Sequence, residues 1–225
     1  MNKQKFVELL LRSGALAFGE FKTKSGRISP YFFNTGCFSS ALLLSELAGY
    51  YASLIEQTSS FKQVNNLFGP SYKGIPLAIA TTQALAYKIS RDISFTFNRK
   101  EVKDHGEQGL LVGYDYRKTS SNVNVIVIED VLTGGTSLRE TFSFLKPYNI
   151  NILGIVLGID REERSGNDAS ISARKEIETL YKTKIHALIS LSKIVSILHN
   201  KEVLGKIWID DMNFKRIEDY RNTYG

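Results

Sequence analysis

A single cysteine, Cys37, in 225 residues excludes an internal disulfide framework and fits a reducing compartment. With nothing around it to mark a nucleophile, Cys37 is expected to be a small packing residue. No hydrophobic run is long: the longest, Ile152 to Ile159, is too short to cross a bilayer. The Gly154-x-x-x-Gly158 spacing within it therefore has no membrane meaning. The opening MNKQKF lacks the apolar region of a secretory signal. Repeats, low-complexity tracts and clear linkers are also missing. A net charge of +6 and a pI near 9.2 could serve nucleic acid. They serve a substrate with several phosphates equally well. No basic run is interleaved with aromatics, so the expectation is a cytoplasmic protein with neither a nucleic-acid nor a membrane partner. What is present, 43% hydrophobic and 23% charged residues, suits one large α/β domain with a small addition.

The chemistry concentrates in Val125 to Leu138, VIVIEDVLTGGTSL. Val125, Ile126, Val127 and Ile128 form an unbroken β-branched run, the pattern of a strand buried on both faces. Glu129 and Asp130 follow, then Val131 and Leu132. Thr133, Gly134, Gly135, Thr136 and Ser137 have the chemistry of a phosphate cradle, because glycine lets backbone N–H groups approach an anion and hydroxyls add donors. A helix follows with Leu138, Phe142 and Leu145 on one face, and its N-terminal end carries partial positive charge. No Lys follows the glycines, so this is not a P-loop, and the G-x-G-x-x-G spacing is absent. An ordinary strand–turn–helix would account for the glycines but not for the acids. Carboxylates repel a phosphate placed on them but suit hydroxyls and developing positive charge, as on a ribose bearing a 5′-phosphate. The stretch resembles the signature that binds phosphoribosyl pyrophosphate (PRPP) in type I phosphoribosyltransferases.

Three further motifs narrow the likeness. Lys24 to Phe33, KSGRISPYFF, resembles the start of the orotate phosphoribosyltransferases, as do Gly69 to Pro76, GPSYKGIP, and Phe97 to Glu107, FNRKEVKDHGE. Read alone, these motifs have plainer meanings: Phe32 and Phe33 as packing, Lys73 as a solvated turn, the cationic run as a solvated loop. Arg161, just past a predicted strand of residues 150–159, could simply pair with Glu162 or Glu163. The resemblance implies more. Phe32, Phe33, Thr133 and Arg161 would receive orotate, the paired aromatics through their backbone. Lys24, Tyr72, Lys73, Arg99, Lys100, Lys103, His105 and residues 129–137 would hold PRPP. Lys103, His105, Glu129 and Asp130 would be catalytic. Mg²⁺ would ride on substrate oxygens and water, without a dedicated protein cage. Residues 99–109 would form a lid completing the neighbour's site in a homodimer.

The coarse element reading predicts a helix over 3–12 capped by Asn2 and a hairpin from Phe18 to Phe33. A long helix would follow Ser39 or Ser40 to about Gln57, with Leu44, Ala48, Tyr51 and Ile55 inward. Next come a strand at 66–68, an apolar helix over 75–89 and a strand at 93–97. A helix marked by Ala173, Ile177 and Leu180 precedes a strand at 184–189. His186, His199 and the tail aromatics Trp208, Phe214 and Tyr220 are expected to pack. The implied fold is a doubly wound, mostly parallel sheet flanked by helices, one domain over 1–225, with residues 1–35 contributing a small N-terminal hood. Where many family members carry Asp-Asp and alanine, this chain has Glu129-Asp130 and Gly134, which predicts altered geometry with function kept. Two alternatives stay open: a phosphoribosyltransferase for a purine or uracil, and a non-catalytic PRPP sensor that binds RNA or DNA.

Overall fold

The computed structural model describes residues 2–23, 27–103, 109–118 and 122–225, with only the backbone at 102, 103, 109 and 118. The chain opens with helix α1 (Lys3–Arg12), whose first turn is capped by the Asn2 side chain accepting from the Lys5 amide. Strands β1 (Leu16–Lys22) and β2 (Ile28–Phe33) then pair antiparallel as the expected hairpin. Helix α2 (Ala41–Gln57) starts at Ser40, whose side chain accepts from the Leu43 amide. It buries Leu47, Ala48, Tyr51, Ala52 and Ile55.

The remaining elements build one six-stranded sheet. In chain order they are β3 (Asn66–Gly69), α3 (Gly74–Ile89), β4 (Ser94–Lys103), β5 (Gly109–Gly113), β6 (Val123–Leu132), α4 (Thr136–Leu145), β7 (Ile150–Asp160), α5 (Ala173–Leu180) and β8 (Ile185–Ser190). The order across the sheet is β5-β4-β3-β6-β7-β8, parallel except at the β4–β5 edge. From β3 the chain winds outward to β4, then crosses back to β6. The winding direction therefore reverses between β3 and β6, and in open α/β sheets the ligand crevice lies outside the carboxyl ends of the strands at that point. This is the doubly wound, mostly parallel sheet that the resemblance implies. The chain ends in α6 (Leu191–Leu198), the short pair β9 (Glu202–Val203) and β10 (Lys206–Ile207), and α7 (Asp211–Tyr224).

Strand β6 is buried on both faces, as its β-branched run requires. Ile126 and Ile128 join the core cluster that holds α1, α2 and the hairpin, whereas Val125 and Val127 join the one under α4 and α5. All four are fully buried, each contributing about 1.5–3 kcal/mol relative to exposure. Two boundaries differ from expectation. Strand β6 runs on through Leu132 because it stays paired with β7 as far as Leu132 opposite Asp160. The acids therefore stand on the strand itself. Strand β4 continues through Lys103, past its expected end at residue 97, because β5 returns antiparallel and pairs Lys103 with Gly109. Cross-strand pairing, which leaves no apolar period on an edge hairpin, decides the conformation there.

Candidate active site

Glu129 and Asp130 stand side by side at the end of β6 and both line one cleft, yet they reach different neighbours. Glu129 faces α4, where the Ser137 hydroxyl donates to its Oε2 at 2.6 Å, while Oε1 accepts the Asp130 amide at 3.0 Å. Asp130 faces the hood. Its Oδ2 accepts from Thr35 Oγ1 at 3.1 Å and lies 3.4 Å from Lys73 Nζ. Its Oδ1 has no protein donor among the described residues. Both carboxyls are buried. Burial, and next the neighbouring Asp130 charge, push the Glu129 carboxyl above the usual glutamate range, against the pull of the Ser137 hydrogen bond.

The backbone beneath the acids is fixed from the far side. Tyr51 of α2 donates its hydroxyl to the Glu129 carbonyl at 2.9 Å. The room for that hydroxyl exists because residue 158 is glycine: a Cβ there would lie 2.7 Å from the Asp130 carbonyl oxygen and 2.8 Å from the Tyr51 hydroxyl.

The cradle closes the end of β6. Gly135 begins α4 at φ 83°, a left-handed conformation that glycine adopts without cost. The amides of the first turn, Thr136 to Leu138, have no acceptor within their own helix and are placed for an anion. The loop is braced from behind. The Gly134 carbonyl accepts from Arg139 Nη2 and from the Gly166 amide, both at 2.9 Å. Arg139 is anchored in turn to Glu176 of α5 at 2.7 Å.

Cradle, acids and hood surround an open cleft of about 610 Å³. Residues 129–137, Lys73, Phe32 and Arg161 all line it. Phe33 does not: the same alternation that exposes Phe32 turns the Phe33 ring into the core, so only its backbone can serve a ligand. Tyr72, Arg99 and Lys100 also stand outside the cleft, with Lys100 lying 4.8 Å over the Tyr72 ring. Lys24 and His105 fall outside the described residues, as does the Lys103 side chain. Arg161 is paired with Glu163 at 2.7 Å, but the pair is buried within the cleft wall, with Arg161 only 8% exposed.

A phosphoribosyl transferase domain model matches residues 40–184. The orotate phosphoribosyltransferase of Clostridium botulinum (strain Alaska E43) is 40% identical over 225 residues, covering 99% of this chain and 97% of that protein. The chain belongs to the orotate phosphoribosyltransferase family. The Yersinia enterocolitica enzyme of the same name is 38% identical, covering 99% of this chain and 98% of its own. The crystal structure of the Francisella tularensis orotate phosphoribosyltransferase superposes with a TM-score of 0.79 at 38% identity, over 98% of this chain and 99% of that one.

Within this orotate phosphoribosyltransferase fold, four site residues escaped sequence reading, while Glu163 is one of the two partners expected for Arg161. Thr35, Tyr31 and Arg27 lie in or beside the quoted motifs, where strand alternation could have marked Tyr31 as facing inward. Tyr220 had no local signal. Its ring packs as expected, but its hydroxyl sits in the cleft wall beside Arg161. Trp208 and Phe214 do pack against the core. His186 meets Phe61 edge-on, and His199 stacks on Phe214. Cys37, half-buried, packs against the core. No helix among the described residues is long and apolar enough to cross a membrane.

Proposed function

We propose that this protein transfers the 5-phosphoribosyl group of PRPP to a ring nitrogen of orotate, giving orotidine 5′-phosphate and pyrophosphate in de novo UMP synthesis. One observation carries the reading: an acid pair at the end of β6 runs directly into a glycine cradle at a helix N-terminus, in the same cleft as Arg161.

The C1′–O bond to pyrophosphate breaks as the C1′–N bond forms, and the ring nitrogen loses its proton. Positive charge develops on the sugar and negative charge on the departing diphosphate. Asp130 Oδ1 and the Glu129 carboxylate accept from the ribose hydroxyls and favour the cationic ring. Residues 133–137 hold the 5′-phosphate with backbone amides and hydroxyls. Lys73, joined by Lys24, Arg99, Lys100, Lys103 and His105, neutralises the pyrophosphate, with Tyr72 shaping the loop that carries Lys73. Orotate lies against Phe32, the backbone of Phe33 and Thr133, with Arg161 reading its carboxylate.

The acid pair also fits Mg²⁺, because that ion takes one or two carboxylates and otherwise rides on substrate phosphates. Among the described residues no group of three or more His, Cys, Asp or Glu forms a cage. Bound with PRPP, Mg²⁺ would supply charge neutralisation on the phosphate oxygens. We assign the 99–109 segment to the partner's site in a homodimer, since Arg99 and Lys100 stand outside their own cleft. Closure of that segment would keep water from the activated sugar. A cytoplasmic setting fits the single free thiol.

Loss of orotate absorbance in the presence of PRPP and Mg²⁺ tests the reading, with each reactant omitted in turn. Uracil and hypoxanthine serve as competing acceptors. Turnover of orotate alone is expected. A preference for either other base, or salt-dependent nucleic-acid binding without turnover, would overturn it.

A further inference from the structure

The cleft wall holds a buried polar cluster that the reaction scheme uses through one member, Arg161. Its guanidinium is partnered on two sides. Nε donates to the Tyr31 hydroxyl at 3.2 Å and pairs with Glu163 Oε1 at 2.7 Å. Nη2 donates to the Tyr220 hydroxyl at 3.2 Å and to Ser29 Oγ at 3.4 Å. Nη1 has no acceptor among the described residues. The fork is thus saturated along one edge and open at one corner, and the residue lines the cleft.

Tyr220 completes that arrangement from the far end of the chain. Its hydroxyl accepts from Arg161 and donates to Glu163 Oε1 at 3.3 Å. Its ring meets Tyr31 edge-on, with centroids 5.9 Å apart. Burial first, then the Glu163 charge, raise the Tyr220 phenol above its ordinary range, so it keeps the proton it donates. The rest of α7 fastens the same loop. The Arg164 amide donates to the Tyr224 carbonyl at 2.7 Å, Arg164 Nε donates to the Gly225 carbonyl at 2.6 Å, and Arg221 lies 3.8 Å from Glu162. Residues 161–164 therefore alternate: Arg161 and Glu163 toward the cleft, Glu162 and Arg164 toward α7.

We propose that Tyr220 is a positioning residue for the acceptor base: by holding Nη2 it fixes the guanidinium so that Nη1 alone is offered to the acceptor's carboxylate. The C-terminal helix thereby sets discrimination between a carboxylated pyrimidine and a bare one. This rests on the function proposed above. Arg161 supplies the attraction, while Tyr220 supplies its direction. Without the hydroxyl, the guanidinium can rotate and recruit its freed donor elsewhere.

Tyr220→Phe tests this, since it keeps the ring and removes only the hydroxyl. Loss of one hydrogen bond to a charged group should raise the orotate KM about tenfold. The PRPP KM and kcat should stay within about twofold, and the orotate-to-uracil ratio of kcat/KM should fall about tenfold. A loosened fold would move both KM values together; equal changes, or an unchanged ratio in a folded variant, would overturn the proposal. A crystal of the wild-type protein with orotate gives a readout that needs no variant. The proposal expects Nη1 on the carboxylate with Nη2 still on Tyr220, and a guanidinium detached from Tyr220 would refute it. A wild type inert toward orotate would overturn the proposed function itself, whereas an active wild type with an unaffected variant would overturn only this inference.

Discussion

The Tyr51 hydroxyl reaches the Glu129 carbonyl at 2.9 Å through the space left by the missing side chain at Gly158. A helix on one side of the sheet thus clamps the backbone that carries the acids. Gly158→Ala places a Cβ 2.7 Å from the Asp130 carbonyl and 2.8 Å from that hydroxyl. Overpacking of this kind costs about 1–3 kcal/mol. We expect a melting temperature lower by roughly 3–10 °C, read by calorimetry, with a matching loss of PRPP affinity. A Gly158→Ala protein as stable as wild type would show that β6 can shift without consequence.

The raised Glu129 carboxyl sets the sign of one pH effect. Its folded pKa lies above the unfolded value, so it binds a proton more readily in the native state. Its contribution to stability is complete below the ordinary glutamate range and is lost as pH rises through the raised value. Glu129→Gln should therefore flatten the fall in melting temperature of the ligand-free protein over that window. The Ser137 hydroxyl pulls the same carboxyl downward. Ser137→Ala should thus move the acidic limb of the kcat/KM profile to higher pH. A limb that stays put, or moves the other way, would detach Glu129 from that profile.

Gly134 and Gly135 should respond differently to alanine. A Cβ at Gly134 would lie 3.3 Å from the Gly166 amide nitrogen, tight but open to a small adjustment. At Gly135 it would force a side chain into φ 83° and meet Arg139 Nη1 at 3.0 Å. Gly134→Ala should keep activity within about twofold and stability within about 0.5 kcal/mol. Gly135→Ala should cost about 1–2 kcal/mol and weaken PRPP binding. Equal tolerance in thermal melts and PRPP titrations would mean that the cradle does not need its left-handed residue.

Lys103→Ala should slow turnover roughly a hundredfold, about 3 kcal/mol of lost transition-state stabilisation, with little change in melting temperature. Mixing it with Asp130→Asn should restore part of the activity through hybrid dimers that carry one intact site. If subunits demonstrably exchange and no activity returns, the lid serves its own cleft.

Much of this was written in local sequence. The β-branched run at residues 125–128 predicts a doubly buried strand, and the structure divides it between two cores. Ser40 caps α2 as its position before an apolar period suggests. The boundaries that shifted did so for a common reason. Arg99 to Lys103 and Glu129 to Leu132 are strand because of what pairs beside them, and pairing between distant segments leaves no period in either. Tyr220 was illegible on the same grounds. It lies 59 residues from Arg161, and nothing in its neighbourhood distinguishes a phenol that packs from one that also orients a guanidinium. Phe33 shows the converse: the resemblance calls only on its backbone, and strand alternation, by putting its ring in the core, leaves the backbone as the part a ligand could meet.

Glu129 and Asp130 are neighbours on β6, yet they answer to different parts of the molecule. Glu129 is tied to α4, which the braced cradle holds rigid. Asp130 is tied to Thr35 just after the hairpin and to Lys73 ahead of α3. In the proposed reaction, a shift of the hairpin against the sheet would reach the sugar first through Asp130, the acid tied to Thr35. The pentose would then be gripped by a fixed jaw and an adjustable one.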